Sequence, residues 1–414
     1  MHLIRPFAAL RPVPERAVDI AAPPYDVLST EEARAQAAGN AWSFLHISKA
    51  EIDLAPGADP YAPEVYARAA QNLRRMIAER VLVRDREPSY YVYRLIMGNH
   101  VQTGLVVAAS IAAYDSNRIR KHEFTQPHKE DDRVRQIEAL NAQTGPVMMA
   151  YPSTPQVNDL LRQVTSGAAD TDVTAGGDVR HTLWVIRDTS RIARLTAAFD
   201  VMPALYIADG HHRSAAASRV AAARRACNPK HAGDENYNYF LAVLFPHHQM
   251  QILPYYRVVA DLNGMSPDAF LQRLGSAFNV EPGSSGALAP DSPGEFGMYL
   301  AGRWYRLFIH AGLIPIQDPV ARLDVSLLAD HLLAPMLDIR DPRTDKRIDF
   351  VGGIRGLQEL ERRVDNGKAA AAFSLHPTGI GDLMDVADNG QVMPPKSTWF
   401  EPKLADGLVS HVLD

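Results

Sequence analysis

The residues best suited to chemistry lie where a hydrophobic strand runs into a polar loop and then a helix. In ALYIADGHHRSAAASR, residues 204–219, the loop carries Asp209, Gly210, His211, His212 and Arg213. A helix N-terminus presents unpaired N–H groups and a partial positive charge, so it stabilises an anion such as phosphate. Gly210 lets the backbone approach a ligand closely, and Arg213 offers two prongs to phosphate oxygens. The pattern predicts a phosphate-binding loop; in the structural alternative, Asp209 caps the helix and the histidines bond within the core.

A second polar cluster, IRKHEFTQPHKEDDRVRQ, occupies residues 119–136. Carboxylates with neighbouring cations can serve as a general base, a Mg²⁺ ligand or a phosphate clamp. We expect Arg120, His122 and Glu123 to be functional rather than the acids further along, because these three follow closely on a buried strand. The alternative is a solvated charged loop that caps the next helix.

Two further segments carry candidate groups. The first, VMPPKSTWFEPKLADGLV at residues 392–409, is stiffened by two prolines. It offers lysines and hydroxyls suited to phosphate or carboxylate, namely Lys396, Ser397, Thr398 and Lys403. The alternative is that its aromatic residues anchor the tail while the lysines stay in water.

The other segment, AAPPYDVLSTEEARA at residues 21–35, places Asp26 before a helix that Ser29 could cap, with Glu32 at the N3 position. Asp26 could be catalytic, or it could belong to a structural turn. No G-x-x-x-x-G-K-[ST], strand-linked G-x-G-x-x-G or G-x-S-x-G pattern is present, which argues against P-loop, Rossmann and α/β-hydrolase proteins.

The elements that must position these groups alternate between strands and helices. Hydrophobic spacing predicts helices at residues 63–83, 133–141, 214–226 and 320–334, the last ending at Pro335. It predicts strands at residues 90–97, 101–114, 147–151, 182–188, 204–209 and 239–245, and a hairpin at 298–310 around Ala301-Gly302. The best internal loop is residues 281–294. Because the hairpins exclude a purely parallel sheet, the pattern indicates a mixed α/β or α+β fold.

The composition bounds the classes of protein. With 414 residues, two to four domains are allowed. The chain has 43 Lys and Arg against 48 Asp and Glu, a net charge of −5, so the basic excess of a nonspecific nucleic-acid binder is missing. One cysteine, Cys227, excludes an intramolecular disulfide and a Cys-rich cluster. The best apolar window, residues 101–114, is shorter than the ~20 residues needed to cross a bilayer. We therefore expect a soluble cytoplasmic protein without a membrane partner.

The four clusters together resemble a bacterial and archaeal family catalogued as domain of unknown function 1015, often labelled SpoOJ/ParA/ParB/RepB-like. The match involves PPYDV, the loop with KHEFT and EDDR, ADGHHR and MPPKSTWFEPK, in that order along nearly the whole chain. ADGHHR further resembles the G-x-H-R phosphate-binding element of the ParB/sulfiredoxin superfamily, which includes free L-serine kinases and chromosome-partition proteins. Sulfiredoxins carry a catalytic Cys where this chain has His211, so sulfinic-acid reductase chemistry is not expected.

The resemblance implies an α+β fold with a ParB/sulfiredoxin-like mixed-sheet core at residues 1–259, which carries the ADGHHR loop. We expect a C-terminal α/β part at residues 260–414 to pack on this core and supply the PPKSTWFEPK loop, because the lysines of that loop make chemical sense only if they reach the ADGHHR loop and no long flexible linker is apparent. Without a helix-turn-helix region, and with a net charge of −5, we do not expect nucleic acid as a partner. The sequence leaves a homo-oligomer open.

The leading functional hypothesis is a nucleotide-dependent kinase that uses ATP or ADP, with Mg²⁺, and phosphorylates a small hydroxylated metabolite. By analogy with the superfamily's serine kinases, free L-serine is the best single guess. In this scheme Gly210, His211, His212 and Arg213 hold phosphates, Lys396, Lys403 or Arg120 neutralise charge, and Glu123 or Asp26 is the base. Two alternatives stay open: a phosphatase or nucleotide hydrolase at the same site with a histidine as acid or base, and a nucleotide-switched ParB-like DNA-binding or regulatory protein.

Overall fold

The computed structural model describes residues 2–283 and 286–414. The chain forms two compact units, one made of Met1–Met250 with Pro402–Asp414 and the other of Gln251–Glu401.

The first unit is built around a mixed sheet. Its strands are β1 (Ile4–Arg5), β2 (Leu10–Pro12), β3 (Leu82–Arg84), β4 (Tyr90–Met97), β5 (His100–Ser110), β6 (Ile119–Arg120), β7 (Ala142–Gln143), β8 (Val147–Tyr151), β9 (Thr171–Ala175), β10 (Val179–Ile186), β11 (Leu205–Asp209), β12 (Tyr239–Pro246) and β21 (His411–Val412). Within the described residues, nine of these strands form one sheet in the order β6-β11-β8-β12-β5-β4-β10-β9, with β1 paired to β5 beside that path.

Strand direction in this sheet alternates irregularly. β12 runs antiparallel to β5 and parallel to β8, while β11 runs antiparallel to β8 and parallel to β6. The central strands β8 and β12 are buried along their whole length. Such continuous apolar strands are typical of a sheet covered on both faces. The mixed directions confirm the α+β class that the sequence predicts.

Helices pack against this sheet. They are α1 (Ala17–Ile20), α2 (Thr30–Ala37), α3 (Leu45–Ser48), α4 (Pro63–Ala78), α5 (Ile111–Asp115), α6 (Pro127–Leu140), α7 (Pro155–Thr165), α8 (Thr189–Asp200) and α9 (His211–Cys227), with 3-10 turns at Pro14–Arg16, Ala50–Asp53, Asn236–Asn238 and His247–Gln249. The Ser29–Glu32 capping box at the start of α2 is confirmed. The helix predicted at 63–83 ends earlier, at Ala78, because Arg80 turns the chain with a φ of 58° toward β3.

The second unit contains an antiparallel sheet. Its strands are β13 (Gln251–Leu253), β14 (Tyr255–Val259), β15 (Phe278–Pro282), β16 (Glu295–Leu300), β17 (Arg303–Ile309), β18 (Ile348–Gly352), β19 (Ala371–Leu375) and β20 (Trp399–Glu401). In the described part of the chain, six of them follow the order β15-β17-β16-β19-β14-β18. The hairpin predicted around Ala301-Gly302 is present, and both turn residues have positive φ. Of the loop predicted at 281–294, residues 284 and 285 lie outside the described residues, and β15 extends to Pro282.

The helices of this unit are α10 (Pro267–Leu274), α11 (Asp324–Leu328), α12 (Ala334–Leu337), α13 (Gln358–Asp365) and α14 (Ile380–Asp388), with 3-10 turns at Ala311–Leu313 and Gly353–Arg355. The helix predicted at 320–334 does not end at Pro335. A π-helical turn, Ala329–Leu333, connects α11 to α12, and Pro335 lies in the first turn of α12. The π-helical turn just before Pro335 departs from regular i→i−4 hydrogen bonding, which a proline cannot continue because it has no N–H.

The division between the units differs from the predicted one. The sequence predicts a break between residues 259 and 260, but β14 already hydrogen-bonds with β18 and β19 of the second unit. The C-terminal segment Pro402–Asp414 groups with the first unit, where β21 pairs with β7. Among the described residues, no helix is both long and apolar enough to cross a bilayer.

Gly407 fixes the path of this C-terminal segment. It has a φ of 89°, and a Cβ atom there would lie 2.7 Å from Phe44 Cδ2 and 2.8 Å from Ile20 Cγ2. Gly39 shares the positive φ, 77°, but a Cβ at that position meets no described atom within 4 Å. Gly39 therefore serves as a control: an alanine there bears the cost of the positive φ without the cost of overpacking.

We expect Gly39→Ala to lower the free energy of unfolding by about 1 kcal/mol. Gly407→Ala should lower it by at least about 1 kcal/mol more, because its methyl group must displace two core side chains. Urea unfolding of both variants measures the difference. Equal losses would show that the close approach at Gly407 does not restrain the segment.

Candidate functional site

The predicted strand–loop–helix is present, and its loop is a single glycine. β11 ends at Asp209, Gly210 is the N-cap residue with a φ of 105°, and α9 begins at His211. A Cβ at Gly210 would lie 3.1 Å from the guanidinium of Arg213 and 3.3 Å from Val147 Cα. Glycine is therefore required by both the backbone conformation and the close contact. No side chain caps this helix, so the structural alternative in which Asp209 is the cap is wrong.

Asp209 lies between two cations. Its Oδ2 is 3.2 Å from Lys403 Nζ, and its Oδ1 is 3.5 Å from Arg213 Nη2. Burial alone would raise the pKa of Asp209, but the charges of Lys403 and Arg213 hold that pKa well below its ordinary value. The carboxylate is thus ionised, and it orients both cations beside the start of α9.

Arg213 is largely buried, with a side chain only 10% exposed. Its Nη1 donates a hydrogen bond to the carbonyl oxygen of Pro146. A Cβ at Gly145 would lie 3.3 Å from Arg213 Cδ, so the arginine is held between two glycine backbones, at 145 and 210. Burial would lower the pKa of Arg213, but the carboxylates of Asp209 and Asp26 raise it above its ordinary value.

Two buried histidines meet at the end of the same strand. The rings of His122 and His211 contact edge to face with 4.5 Å between centroids, and the backbone N–H of His122 donates to His211 Nε2 at 3.4 Å. Burial lowers the pKa of His211 well below its ordinary value and that of His122 to about 4. Both rings are therefore neutral at pH 7. Because Nε2 of His211 accepts, its proton is assigned to Nδ1, which lies 3.7 Å from Glu123 Oε2.

His212 and Arg120 lie at the margin of this group. His212 Nε2 accepts from the backbone N–H of Gln126 at 3.1 Å, and burial together with the charge of Lys129 lowers the pKa of His212 to about 4. Arg120 is paired with Tyr206 in the β6–β11 register, and its guanidinium lies 5.8 Å from the Tyr206 ring. The structure therefore brings His122 and Glu123 to His211, and it places Arg120 beside Tyr206 of β11, the strand that ends at Asp209.

Sequence reasoning missed a group of residues beside Asp26. Arg133 stacks over the ring of Tyr25 at 3.7 Å and donates to Asp132 at 2.6 and 2.9 Å. Asp132 also accepts from Tyr66 at 2.8 Å. Asp26 itself is exposed. The PPYDV motif was the available signal, because its tyrosine precedes Asp26 directly.

Asp406 was also missed, although it is the most deeply buried acid near the loop. It is 2% exposed, its Oδ1 has no hydrogen-bond partner in the described residues, and its backbone pairs with Ala22 at 2.9 and 3.2 Å. Burial raises the pKa of Asp406 to about 7, although the charge of Arg213 opposes the rise. In the sequence Asp406 precedes Gly407 and is typical of an exposed turn, so the neighbouring residues do not predict its burial.

Arg213 and Asp406 line the same cavity as Tyr25 and Arg133. Its volume is about 480 Å³ including the open mouth, and its polar walls include Tyr25, Arg133, Thr144, Gly145, Arg213 and Asp406. The space open to a water-sized group is about 30 Å³, which corresponds to about two water molecules.

Lys396, Ser397 and Thr398 belong to the second unit. Lys396 Nζ lies 5.4 Å from the ring centroid of Tyr255. Ser397 Oγ donates to the carbonyl oxygen of Pro394 at 2.6 Å, and its own carbonyl accepts from Thr378 at 2.9 Å. Thr398 is partly buried. Their expected phosphate contacts stay a prediction, whereas Lys403 of the same motif contacts Asp209 within the first unit.

Comparisons with known proteins give one extensive match. A family model described as "Protein of unknown function (DUF1015)" matches residues 4–326. No curated protein matches the sequence significantly.

Three solved structures are distantly similar. A conserved hypothetical protein from Pyrococcus furiosus is 13% identical with a TM-score of 0.36, covering 73% of this chain and 94% of that one. A free serine kinase in complex with AMP is 11% identical with a TM-score of 0.36, covering 73% and 92%. SbnI with a C-terminal truncation, from Staphylococcus aureus, is 9% identical with a TM-score of 0.36, covering 73% and 85%. TM-scores this low carry no argument about activity.

The raised pKa of Asp406 predicts a pH-dependent stability. A carboxyl with a pKa of 3.8 when unfolded and about 7 when folded contributes stability that is fully present below the lower value and lost as pH rises through the higher one. Asp406→Asn removes this dependence. Between about pH 5 and about pH 8 we expect the wild type to lose about 1–3 kcal/mol relative to the variant. Urea unfolding at both pH values tests this, and a difference that does not change with pH would contradict it.

Proposed function

Because the chain belongs to the family described as "Protein of unknown function (DUF1015)", which carries no assigned activity, we propose from its side chains that it is a nucleotide-dependent phosphotransferase. Its acceptor is a small hydroxylated metabolite. The observation that carries the proposal is the start of α9, which Gly210 leaves without a side-chain cap and which lies beside Arg213 and Lys403. Phosphate is stabilised by free backbone N–H groups and cations placed together in this way.

Asp209 holds the two cations in place beside the start of α9, because its single carboxylate faces both Arg213 and Lys403. The neutral ring of His211 adds no competing charge at the helix start, and its backbone N–H is one of the donors expected to face a phosphate. We propose that Asp209–Arg213 is a version of the G-x-H-R phosphate element, with Gly210 as its close-approach residue.

Glu123 is the candidate base. It is half-exposed, and its Oε2 lies 3.7 Å from His211 Nδ1. In the proposed reaction the acceptor hydroxyl gives its proton to Glu123 while its oxygen forms a bond to the terminal phosphorus of the nucleotide. The bond from that phosphorus to the bridging oxygen breaks, and the shortened nucleotide leaves with the bonding electrons. His211 acts as a positioning residue that orients the Glu123 carboxylate.

Mg²⁺ fits this site only together with the nucleotide. In the described residues no group of three or more His, Cys, Asp and Glu side chains could hold a metal ion. Mg²⁺ is commonly held by one or two carboxylates plus substrate phosphates, where it neutralises their charge. Asp26, which is exposed, could supply such a carboxylate.

One observation favours a second candidate, hydrolysis at the same site. Glu123 is 54% exposed, so water could reach it in place of an acceptor.

The net charge of −5 supports neither a nucleic-acid partner nor a ParB-like DNA-binding role. A reducing cytoplasm would suit the single, exposed Cys227.

The proposal predicts phosphorylation of an acceptor. Purified protein incubated with ATP or ADP, Mg²⁺ and a panel of amino and hydroxy acids, including free L-serine, should yield a phosphorylated product detectable by phosphorus NMR and mass spectrometry. Release of inorganic phosphate without any acceptor would favour the hydrolase. Absence of both products, with no nucleotide binding by calorimetry, would refute a nucleotide site.

Glu123→Gln tests the base. We expect the turnover of the acceptor to fall about 10²- to 10⁴-fold, because the variant cannot take the proton, while nucleotide affinity stays unchanged. The matched control is Glu138→Gln, which alters a glutamate of α6 that pairs with Arg224 and should change neither quantity. Steady-state kinetics and calorimetry measure the two effects. Full turnover in Glu123→Gln would move the role of base to another group.

A further inference from the structure

The orphaned oxygen of Asp406 requires a hydrogen-bond donor that the described residues do not supply. Asp406 is 2% exposed and lines the cavity, and a Cβ at Gly145 would lie 3.4 Å from its Oδ1. An unpaired buried carboxyl oxygen costs free energy comparable to a lost hydrogen bond to a charged group. The oxygen is therefore a position at which a donor group of a ligand would be stabilised.

The arginines on the cavity wall are donors, and they favour a ligand group that accepts hydrogen bonds and carries negative charge. Arg133 lines the cavity and donates from Nε and Nη2 to Asp132. Arg213 uses Nη1 on Pro146 and faces Asp209 with Nη2. Guanidinium groups are suited to carboxylates, which they contact in a planar, often two-pronged geometry. The same cavity thus offers an acceptor oxygen, Asp406 Oδ1, to one ligand group and guanidinium groups to another.

The size of the cavity limits the ligand. Space for about two water-sized groups suits a carboxylate oxygen and one neighbouring polar group, and it excludes a nucleotide.

The cavity is also next to the proposed transfer site. Gly145 lies on the cavity wall, Gly210 lies at the start of α9, and both backbones pack against the side chain of Arg213. One arginine is therefore a common wall of the cavity and of the phosphate loop. Arg213 is therefore the side chain through which the cavity and the phosphate loop adjoin.

We propose that this cavity binds the acceptor. The acceptor is a small carboxylic acid that carries a hydroxyl or ammonium group on the neighbouring carbon and a further hydroxyl, which is the one that is phosphorylated. The group on the neighbouring carbon donates to Asp406 Oδ1, and the carboxylate contacts Arg133. The identification of this ligand as the acceptor rests on the proposed phosphotransferase function, whereas its binding does not.

The test measures the binding of small acids by calorimetry in the absence of nucleotide. The probes are L-serine, L-alanine and lactate, which carry the donor group, and propionate, which lacks it. We expect at least one of the first three to bind the wild type about 10- to 100-fold more tightly than propionate, because only these probes satisfy Asp406. Asp406→Asn should abolish that preference. Asp324→Asn is the matched control, because Asp324 also has an unpartnered oxygen and a pKa raised by burial to about 7 but belongs to the second unit.

Gly145→Ala covers the case in which Asp406→Asn does not fold. Its methyl group would contact Arg213 and Asp406 and fill the cavity without changing any charge, so it should weaken the same probe. Equal affinity for all four probes, no binding of any of them, or unchanged binding in both variants would overturn the proposal and leave water as the occupant. Binding that depends on Asp406 without phosphorylation of any acid would refute only the phosphotransferase. Phosphorylation of an acceptor that lacks a carboxylate, with its KM unchanged by Asp406→Asn, would refute only the acceptor site.

Discussion

The burial of one guanidinium group, that of Arg213, constrains the surrounding structure. A charge removed from water is costly unless it is paired and hydrogen-bonded. Here the pairing comes from Asp209, and the hydrogen bond comes from the carbonyl oxygen of Pro146. A Cβ at residue 145 would lie 3.3 Å from Arg213 Cδ, and one at residue 210 would lie 3.1 Å from its guanidinium, so glycine at both positions leaves room for this side chain. The start of α9, the end of β11 and the loop before β8 are therefore fixed by the same side chain.

The C-terminal segment completes this arrangement from a distant part of the chain. Lys403 balances the second oxygen of Asp209, and Asp406 adds a carboxyl whose pKa responds to Arg213. Backbone hydrogen bonds between Asp406 and Ala22 hold the segment in place. Since the polar groups of the loop and of the C-terminal segment depend on each other, the candidate site forms only when both ends of the chain are folded into the first unit.

The site also separates charged from neutral groups. Arg213 and Asp209 remain ionised because each faces an opposite charge, whereas His122 and His211 are neutral because burial outweighs the nearby carboxylate. Charge is thus concentrated beside the start of α9. Neutral donors and acceptors lie between that charge and Glu123.

Local sequence determined the parts of the protein that depend on neighbouring residues. The strand–Gly210–helix transition, the Ser29–Glu32 capping box and the Ala301-Gly302 hairpin follow from backbone conformation and side-chain bonds within a few residues. Tertiary structure alone decided that Asp406 is buried, that Arg133 stacks on Tyr25, and that Lys403 and Lys396 belong to different units. The physical reason is that burial and charge pairing act between atoms close in space, such as Asp209 and Lys403, which are separated by 194 positions in the chain. Periodicity and motif spacing contain no information about which such pairs meet.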